Sequence, residues 1–259
     1  MVAKLDQKIS NEEKQVNSEI IVKVEDLHKA YFLGKTAIPA LRGVDFELKK
    51  GELCSIMGPS GCGKTTLLNL IGGIDRPDRG RVQFEGVELT SLSDNELADL
   101  RLEKISFVFQ FYNLLPLLNA QENVEIPMVF KGESKAERIK KSIKLLELVG
   151  LKGREEHLPT ELSGGEQQRV SISRAMANNP DLMICDEPTG DLDSNSAKKV
   201  LQLLYDLNKK MGMTILMVTH DKRTAQICDR ILHMLDGKIV KEEITSGLEG
   251  SILDEKEEI

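Results

Sequence analysis

Apolar positions change their period several times along the chain, and each change predicts an element. From Ile20 onward, IIVKVEDLHKAY, VDFELKK and ELCSIMG are short runs bounded by Gly, Pro or charge, which predicts three strands in an opening β-rich layer. After a Gly-rich stretch, KTTLLNLIGG carries helical spacing, and RVQFEG returns to a strand. In SDNELADLRLEKI, Ser93 and Glu96 have the spacing of a capping box, so a helix is expected ahead of the strand ISFVFQ. From about Phe111 to Leu158 the pattern turns helical, and the charged amphipathic run SKAERIKKSIKLLELVG meets Gly150, a residue suited to ending a helix.

Beyond this helical insert, strand and helix alternate through LMICDEP, SNSAKKVLQLLYDLNKKMG, TILMVTH and DKRTAQICDR. The final pattern, ILHMLDGKIVKEE, contains Asp236-Gly237, a hairpin signal. Unbroken apolar runs such as LMIC and ILMV predict strands buried on both faces. No internal repeat is present. The polar, charged residues 1–19 predict a disordered tail, and the acidic residues 246–259 a frayed one.

With 259 residues, 40% of them hydrophobic, the chain has enough apolar content for a proper core. A net charge of −7 argues against a nucleic-acid-coating protein, so no nucleic-acid partner is expected. No apolar run reaches the roughly 18 residues of a membrane span, the N-terminus lacks a secretory apolar core, and lipidation signals are not evident. These features predict a cytosolic chain that meets a membrane only through a partner. Cys54, Cys62, Cys185 and Cys228 show no CxxC spacing, and His28, His157, His220 and His233 are dispersed, which predicts reduced thiols and no zinc cluster.

The chemistry concentrates in GPSGCGKTT. It places Gly58, Pro59, Ser60, Gly61, Cys62, Gly63, Lys64, Thr65 and Thr66 between a predicted strand and a predicted helix, the setting of a phosphate-binding loop. Glycines let successive amides face a phosphate, Lys64 can reach the terminal phosphates, and the Thr65 hydroxyl can ligate Mg²⁺. LMICDE then supplies two carboxylates at a strand end: Asp186 to hold the magnesium and Glu187 as general base or water-orienting group. Gln110 and His220 close two further apolar runs and are weak signals taken singly.

A second stretch, ELSGGEQQRVSISRA, poses a problem. Ser163 and Glu166 form a capping box ahead of Val170, Ile172 and Ala175, yet Gly164 and Gly165 occupy the first turn. Each costs up to about 1 kcal/mol against Ala in a helix interior, so bare backbone is expected to serve close approach of an anion. The chain already holds one complete phosphate loop.

In order and spacing these pieces resemble the nucleotide-binding subunit of ATP-binding cassette (ABC) transporters, over nearly the whole stretch from Ile20 to Lys241. The resemblance implies an α/β P-loop NTPase core of ABC type with an antiparallel β subdomain and a helical subdomain. It implies one ATPase domain over 20–245, with about 111–177 inserted as the helical part. Tyr31 would stack on adenine, Gln110 would hold the Q-loop position and a metal contact, Leu162 to Gly165 would form the signature, Gly190 to Asp193 the D-loop, and His220 the switch histidine. Glu166 stands where the family usually has Gln. ATP and Mg²⁺ are the implied ligands, with Thr65, Gln110 and Asp186 at the metal and Glu187, His220, Gln110 and Lys64 in catalysis.

The resemblance also implies why two cradles exist. Two such subunits, here expected to be identical, pair head to tail, and Ser163, Gly164, Gly165 and Glu166 of one complete the other's nucleotide site, as would Asp193. FVFQFYNLLPLLNAQENVEIP, HLPTELSGGEQQR and DEPTGDLDS resemble the branch that serves lipoprotein release, macrolide export and the related cell-division complex. An integral membrane permease is then the second partner, docking around Phe111 to Pro127 through Phe111, Leu114, Leu115 and Leu117, with this chain peripheral on the cytoplasmic side. The alternatives are an ATP-dependent regulatory scaffold of a cell-division-type complex, or a soluble non-transport ATPase of the same fold.

Overall fold

The computed structural model describes residues 19–245. Both predicted tails lie outside the described residues, apart from Glu19, whose carbonyl accepts from Lys50 N at 2.7 Å.

Two sheets organise the chain. The first is four-stranded, in the order β2-β1-β4-β5, with β1 at Ile20–Leu33, β2 at Thr36–Lys49, β4 at Arg79–Phe84 and β5 at Val87–Glu88. All its pairings are antiparallel. The second is six-stranded, β10-β9-β3-β8-β7-β6, built from β3 (Leu53–Met57), β6 (Ile105–Val108), β7 (Leu182–Asp186), β8 (Thr214–Thr219), β9 (Arg230–Leu235) and β10 (Lys238–Ile244). Only β9 and β10 pair antiparallel there, across the turn in which Asp236 and Gly237 both take positive φ, as the hairpin signal predicts. Every residue of β8 is buried, which accounts for its unalternating sequence.

Seven α-helices complete the described fold: α1 (Lys64–Ile71), α2 (Asp94–Glu103), α3 (Ala120–Phe130), α4 (Lys135–Leu148), α5 (Gly164–Met176), α6 (Ser194–Met211) and the short α7 (Lys222–Ala225). The capping boxes at Ser93 and Ser163 form as the spacing predicts. Apolar side chains gather into three clusters. One joins the antiparallel sheet to α1 and one face of the large sheet; the second lies on the other face, beneath α5 and α6; the third holds α3, α4 and part of α5 together.

Two elements differ from the sequence expectation. Strand β2 begins at Thr36, eight residues before the predicted VDFELKK, and pairs with β1 out to Leu33↔Thr36. Pro39 reads as a break, but β2 is an edge strand, where the missing N–H removes no interior ladder bond. Strand β6 stops at Val108, so Gln110 sits in the following turn and does not end a strand.

Parallel register sets up the chemistry. Met57 pairs with Thr219, and Asp186 with Val218, so β3, β7 and β8 end side by side. The loop after β3, the carboxylates after β7 and the histidine after β8 therefore emerge at one edge.

Candidate active site

Residues Gly58 to Gly63 run from β3 into α1. Gly63 is the N-cap of α1 with φ 106°, and a Cβ there would lie 2.4 Å from Ala40 O, so only glycine fits. Unlike α2 to α7, which are capped by Ser93, Asn119, Ser134, Ser163, Asp193 and Asp221, helix α1 has no side-chain cap. Its first amides lack the usual acceptor and carry the positive end of the helix dipole.

Lys64 is only 6% exposed, and its Nζ donates to Gly58 O at 2.8 Å and Pro59 O at 3.0 Å. Those two bonds use two of three protons. No ion pair forms at Lys64 among the described residues. A buried ammonium without a counter-ion, beside an uncapped helix start, is an arrangement that an anion completes. Pro59, Ser60 and Gly61 form the exposed rim, Cys62 is buried beneath it, and Thr65 and Thr66 face out along the first turn of α1.

Thr65 Oγ1 donates to Asp186 Oδ2 at 3.0 Å. Partial burial pushes the Asp186 carboxyl above the usual range, and the neighbouring Glu187 charge adds to this against the opposing pull of Thr65 and Lys64. A hydroxyl beside one carboxylate suits a small hard cation that keeps most of its water, so the residues present fit magnesium. The described residues hold no cluster of three or more His, Cys, Asp or Glu for a softer metal.

Glu187 lies one residue past β7 with φ 48°, and its amide donates to Val218 O at 3.0 Å. This left-handed step breaks the strand alternation and swings the carboxylate toward β8, where Oε2 lies 2.6 Å from His220 Nδ1. Oε1 is left for another partner. Gln110 is not bonded to Thr65 or Asp186: its Nε2 donates to Asp191 Oδ1 at 3.2 Å, against the turn that follows Glu187. Asp193 caps α6 through the amides of Asn195 and Ser196, both at 3.0 Å. Tyr31 is half-exposed on β1, with its hydroxyl donating to Asp75 Oδ2 at 2.9 Å.

The signature residues stand elsewhere. No hydrogen bond joins Ser163, Gly164, Gly165 or Glu166 to residues 58–66. The two glycines also have an intrachain reason to lack a Cβ, one that the sequence does not show. A Cβ on Gly164 would lie 2.7 Å from the Tyr112 hydroxyl, and one on Gly165 would lie 2.7 Å from Ser196 Cβ and Oγ. Sequence reading also missed Gln168, fully buried on α5, whose Nε2 donates to Pro188 O at 2.8 Å and Phe109 O at 3.3 Å. It ties the signature helix to the turn carrying Glu187; its only sequence signal is a polar residue on the inward face of a helix.

Of the apolar residues expected to meet a partner, Phe111 (73% exposed), Leu115 and Leu117 are exposed, whereas Leu114 is partly buried against the third cluster. Beside them a groove of about 670 Å³ opens between α2, β6, α3 and α5, lined by Phe107, Phe109, Ile126, Pro127, Phe130 and Arg174.

Comparison with known proteins shows the family. The family described as ABC transporter matches residues 41–190. An ABC transporter H family member 2 from Dictyostelium discoideum is 51% identical over 221 residues, 85% of this chain, although the chain spans only 43% of that relative's length. The lipoprotein-releasing system ATP-binding protein LolD of Bacteroides thetaiotaomicron is 43% identical over 222 residues, covering 86% of this chain and all of that protein. Among solved structures, the dimeric post-hydrolysis state of the ATP-binding cassette MJ0796 bound to ADP and Pi superposes with a TM-score of 0.82 at 44% identity, over 88% of this chain and 100% of that one.

Proposed function

The chain belongs to the ABC transporter family, and on that premise we propose that it is the ATP-binding and ATP-hydrolysing subunit of a membrane transport complex, two copies closing head to tail around two ATP molecules. The observation that carries this is the buried Lys64 ammonium without an ion pair, at the one α-helix start among the described residues that has no side-chain cap, with Thr65 beside it and Asp186, Glu187 and His220 at adjoining strand ends.

In this reading the amides of residues 58–66 and Lys64 take the phosphates, and Tyr31 offers a half-exposed ring to the base. Thr65 and Asp186, with Gln110 as a further ligand, would hold magnesium, which would supply charge neutralisation on the phosphate oxygens. Glu187 Oε1 accepts a proton from, or orients, the attacking water, while the His220 contact at Oε2 holds the carboxylate in place.

Ser163, Gly164, Gly165 and Glu166 serve the nucleotide of the second copy. The exposure of Ser163 at the start of α5 and the lack of any bond from these residues to the chain's own phosphate loop support this, as does the dimeric state of the MJ0796 cassette. The same reading takes 20–245 as a single ATPase domain with about 111–177 inserted, in keeping with the separate apolar cluster of α3, α4 and α5. No helix among the described residues is long and apolar enough to cross a membrane. The groove beside Phe111, Leu115 and Leu117 is where a permease segment docks, which puts the chain on the cytoplasmic face. The likeness to LolD favours lipoprotein release or a related force-transmitting export.

The test is magnesium- and ATP-dependent self-association of Glu187→Gln by analytical ultracentrifugation. A dimer that forms with ATP and falls apart with ADP is expected. A monomer at every protein concentration, with ATP bound, would remove the head-to-tail reading.

A further inference from the structure

Three of the described α-helices start with a capping box made by a serine and a glutamate, and one of them uses it differently. At α2 and α4 the serine cap and the glutamate three residues on close the box completely: Ser93 Oγ donates to Glu96 Oε2 and Ser134 Oγ to Glu137 Oε2, each at 2.6 Å. At α5 the backbone half of the box is intact, with Ser163 N donating to Glu166 Oε2 at 2.9 Å and Glu166 N donating to Ser163 Oγ at 3.3 Å. The contact from the hydroxyl to the carboxylate is weaker than the 2.6 Å bonds of the other two boxes. Ser163 Oγ still helps keep Glu166 ionised, but less than the backbone amide does, whereas at Glu96 and Glu137 the serine hydroxyl is the larger influence.

What differs at α5 is an arginine. Arg154 Nε lies 3.3 Å from Glu166 Oε1, whereas neither Glu96 nor Glu137 has a cationic partner among the described residues. The guanidinium is itself held: its NH1 lies 3.1 Å from His157 Nε2, Arg154 N donates to Leu151 O at 3.0 Å, and His157 N donates to Arg154 O at 3.1 Å. The 151–158 loop is pinned to the start of α3 by Ala120 N to His157 O and Gln121 N to Glu155 O, both at 2.9 Å. An exposed ion pair of this kind adds little to stability, so its consequence lies in what it does to Ser163.

We propose that Arg154 is a positioning residue for the nucleotide site of a second copy: by holding Glu166 Oε1 it keeps that carboxylate off the Ser163 hydroxyl and offsets its charge, leaving the hydroxyl proton for the terminal phosphate. This rests on the reading that the Ser163–Gly165 turn faces the partner's nucleotide. A carboxylate at the third position of that turn would otherwise compete with the phosphate twice, once for the hydroxyl proton and once by like-charge repulsion. Arg169, further along α5, adds a weaker attraction to Glu166.

The experiment is a double-mutant cycle on the full chain carrying Glu187→Gln, reading the dimer dissociation constant in saturating Mg-ATP. Arg154→Ala is expected to weaken the dimer about tenfold, the scale of one charge-assisted hydrogen bond. Arg154→Lys should restore part of this. Arg154→Ala combined with Glu166→Gln should return to within about twofold of the Glu166→Gln protein, because the charge that needed offsetting is gone. An equal loss from Arg154→Ala with and without Glu166→Gln would show that Arg154 acts only on the fold of its loop and overturns the proposal, as would no loss at all. Ser163→Ala separates the parent reading: if it leaves the ATP dimer unchanged, the signature turn does not meet the partner's phosphate, and both readings fall together.

Discussion

Glu187 Oε2 and His220 Nδ1 lie 2.6 Å apart across the ends of neighbouring strands β7 and β8, although the two residues are 33 positions apart in sequence. The contact exists because Glu187 steps into a left-handed conformation at the strand end. It leaves one carboxylate oxygen for water, and that division of the carboxylate predicts unequal effects from its two members.

Replacing Glu187 with Gln removes the proton acceptor and should lower steady-state ATP hydrolysis by about 10²–10⁴-fold while ATP binding persists. His220→Ala removes only the support at Oε2, so its loss should be smaller. Phosphate release and equilibrium binding of a fluorescent ATP analogue measure the two sides.

Asp186 gives a pH prediction with an unusual sign. Burial raises its carboxyl above the unfolded value, so the folded state favours the proton; that contribution is fully present below the unfolded value, about 3.8, and is lost as pH rises through the folded one. At neutral pH the ionised carboxylate therefore costs stability without a bound cation. Asp186→Asn should raise the thermal midpoint of the nucleotide-free protein at pH 7, with the gain fading toward pH 4, and should abolish the further rise that Mg-ATP gives the wild type. Differential scanning fluorimetry with and without nucleotide reads both.

The signature glycines can be separated into packing and phosphate roles. Gly165→Ala forces a Cβ against Ser196, so a loss of about 1–3 kcal/mol in the absence of nucleotide is expected from denaturant unfolding. For Gly164→Ala the obstacle is the Tyr112 hydroxyl, and adding Tyr112→Phe should recover most of the lost stability. A cost that appears only when ATP is present would contradict the intrachain explanation.

The four cysteines are free and buried. Burial pushes the Cys54 thiol up to about 12 and raises Cys62, Cys185 and Cys228 as well. Since only thiolate reacts, iodoacetamide at pH 8 should leave all four unmodified in the native protein and label all four in denaturant, as counted by intact mass.

Much of the site was legible because its chemistry is local. A phosphate loop needs its glycines, lysine and threonine within a few residues between a strand and a helix, and GPSGCGKTT states that spacing directly; capping boxes and the Asp236-Gly237 hairpin are likewise complete within a few residues. Tertiary structure decided the rest. Strand β2 runs past Pro39 because an edge position tolerates proline, and edges exist only once strands have paired. Gln110 finds Asp191 only because β6 and β7 pair in parallel, and Gln168 finds Pro188 only because α5 packs against the strand ends. Gly164 and Gly165 read as an anion's signature until Tyr112 and Ser196 arrive against them. Nothing in the sequence singles out Arg154; pinning its loop to the start of α3 brings it to Glu166. Hydrogen-bond and steric demands satisfied within one turn are written in order along the chain, whereas those met by residues tens of positions away become visible only when packing brings them into contact.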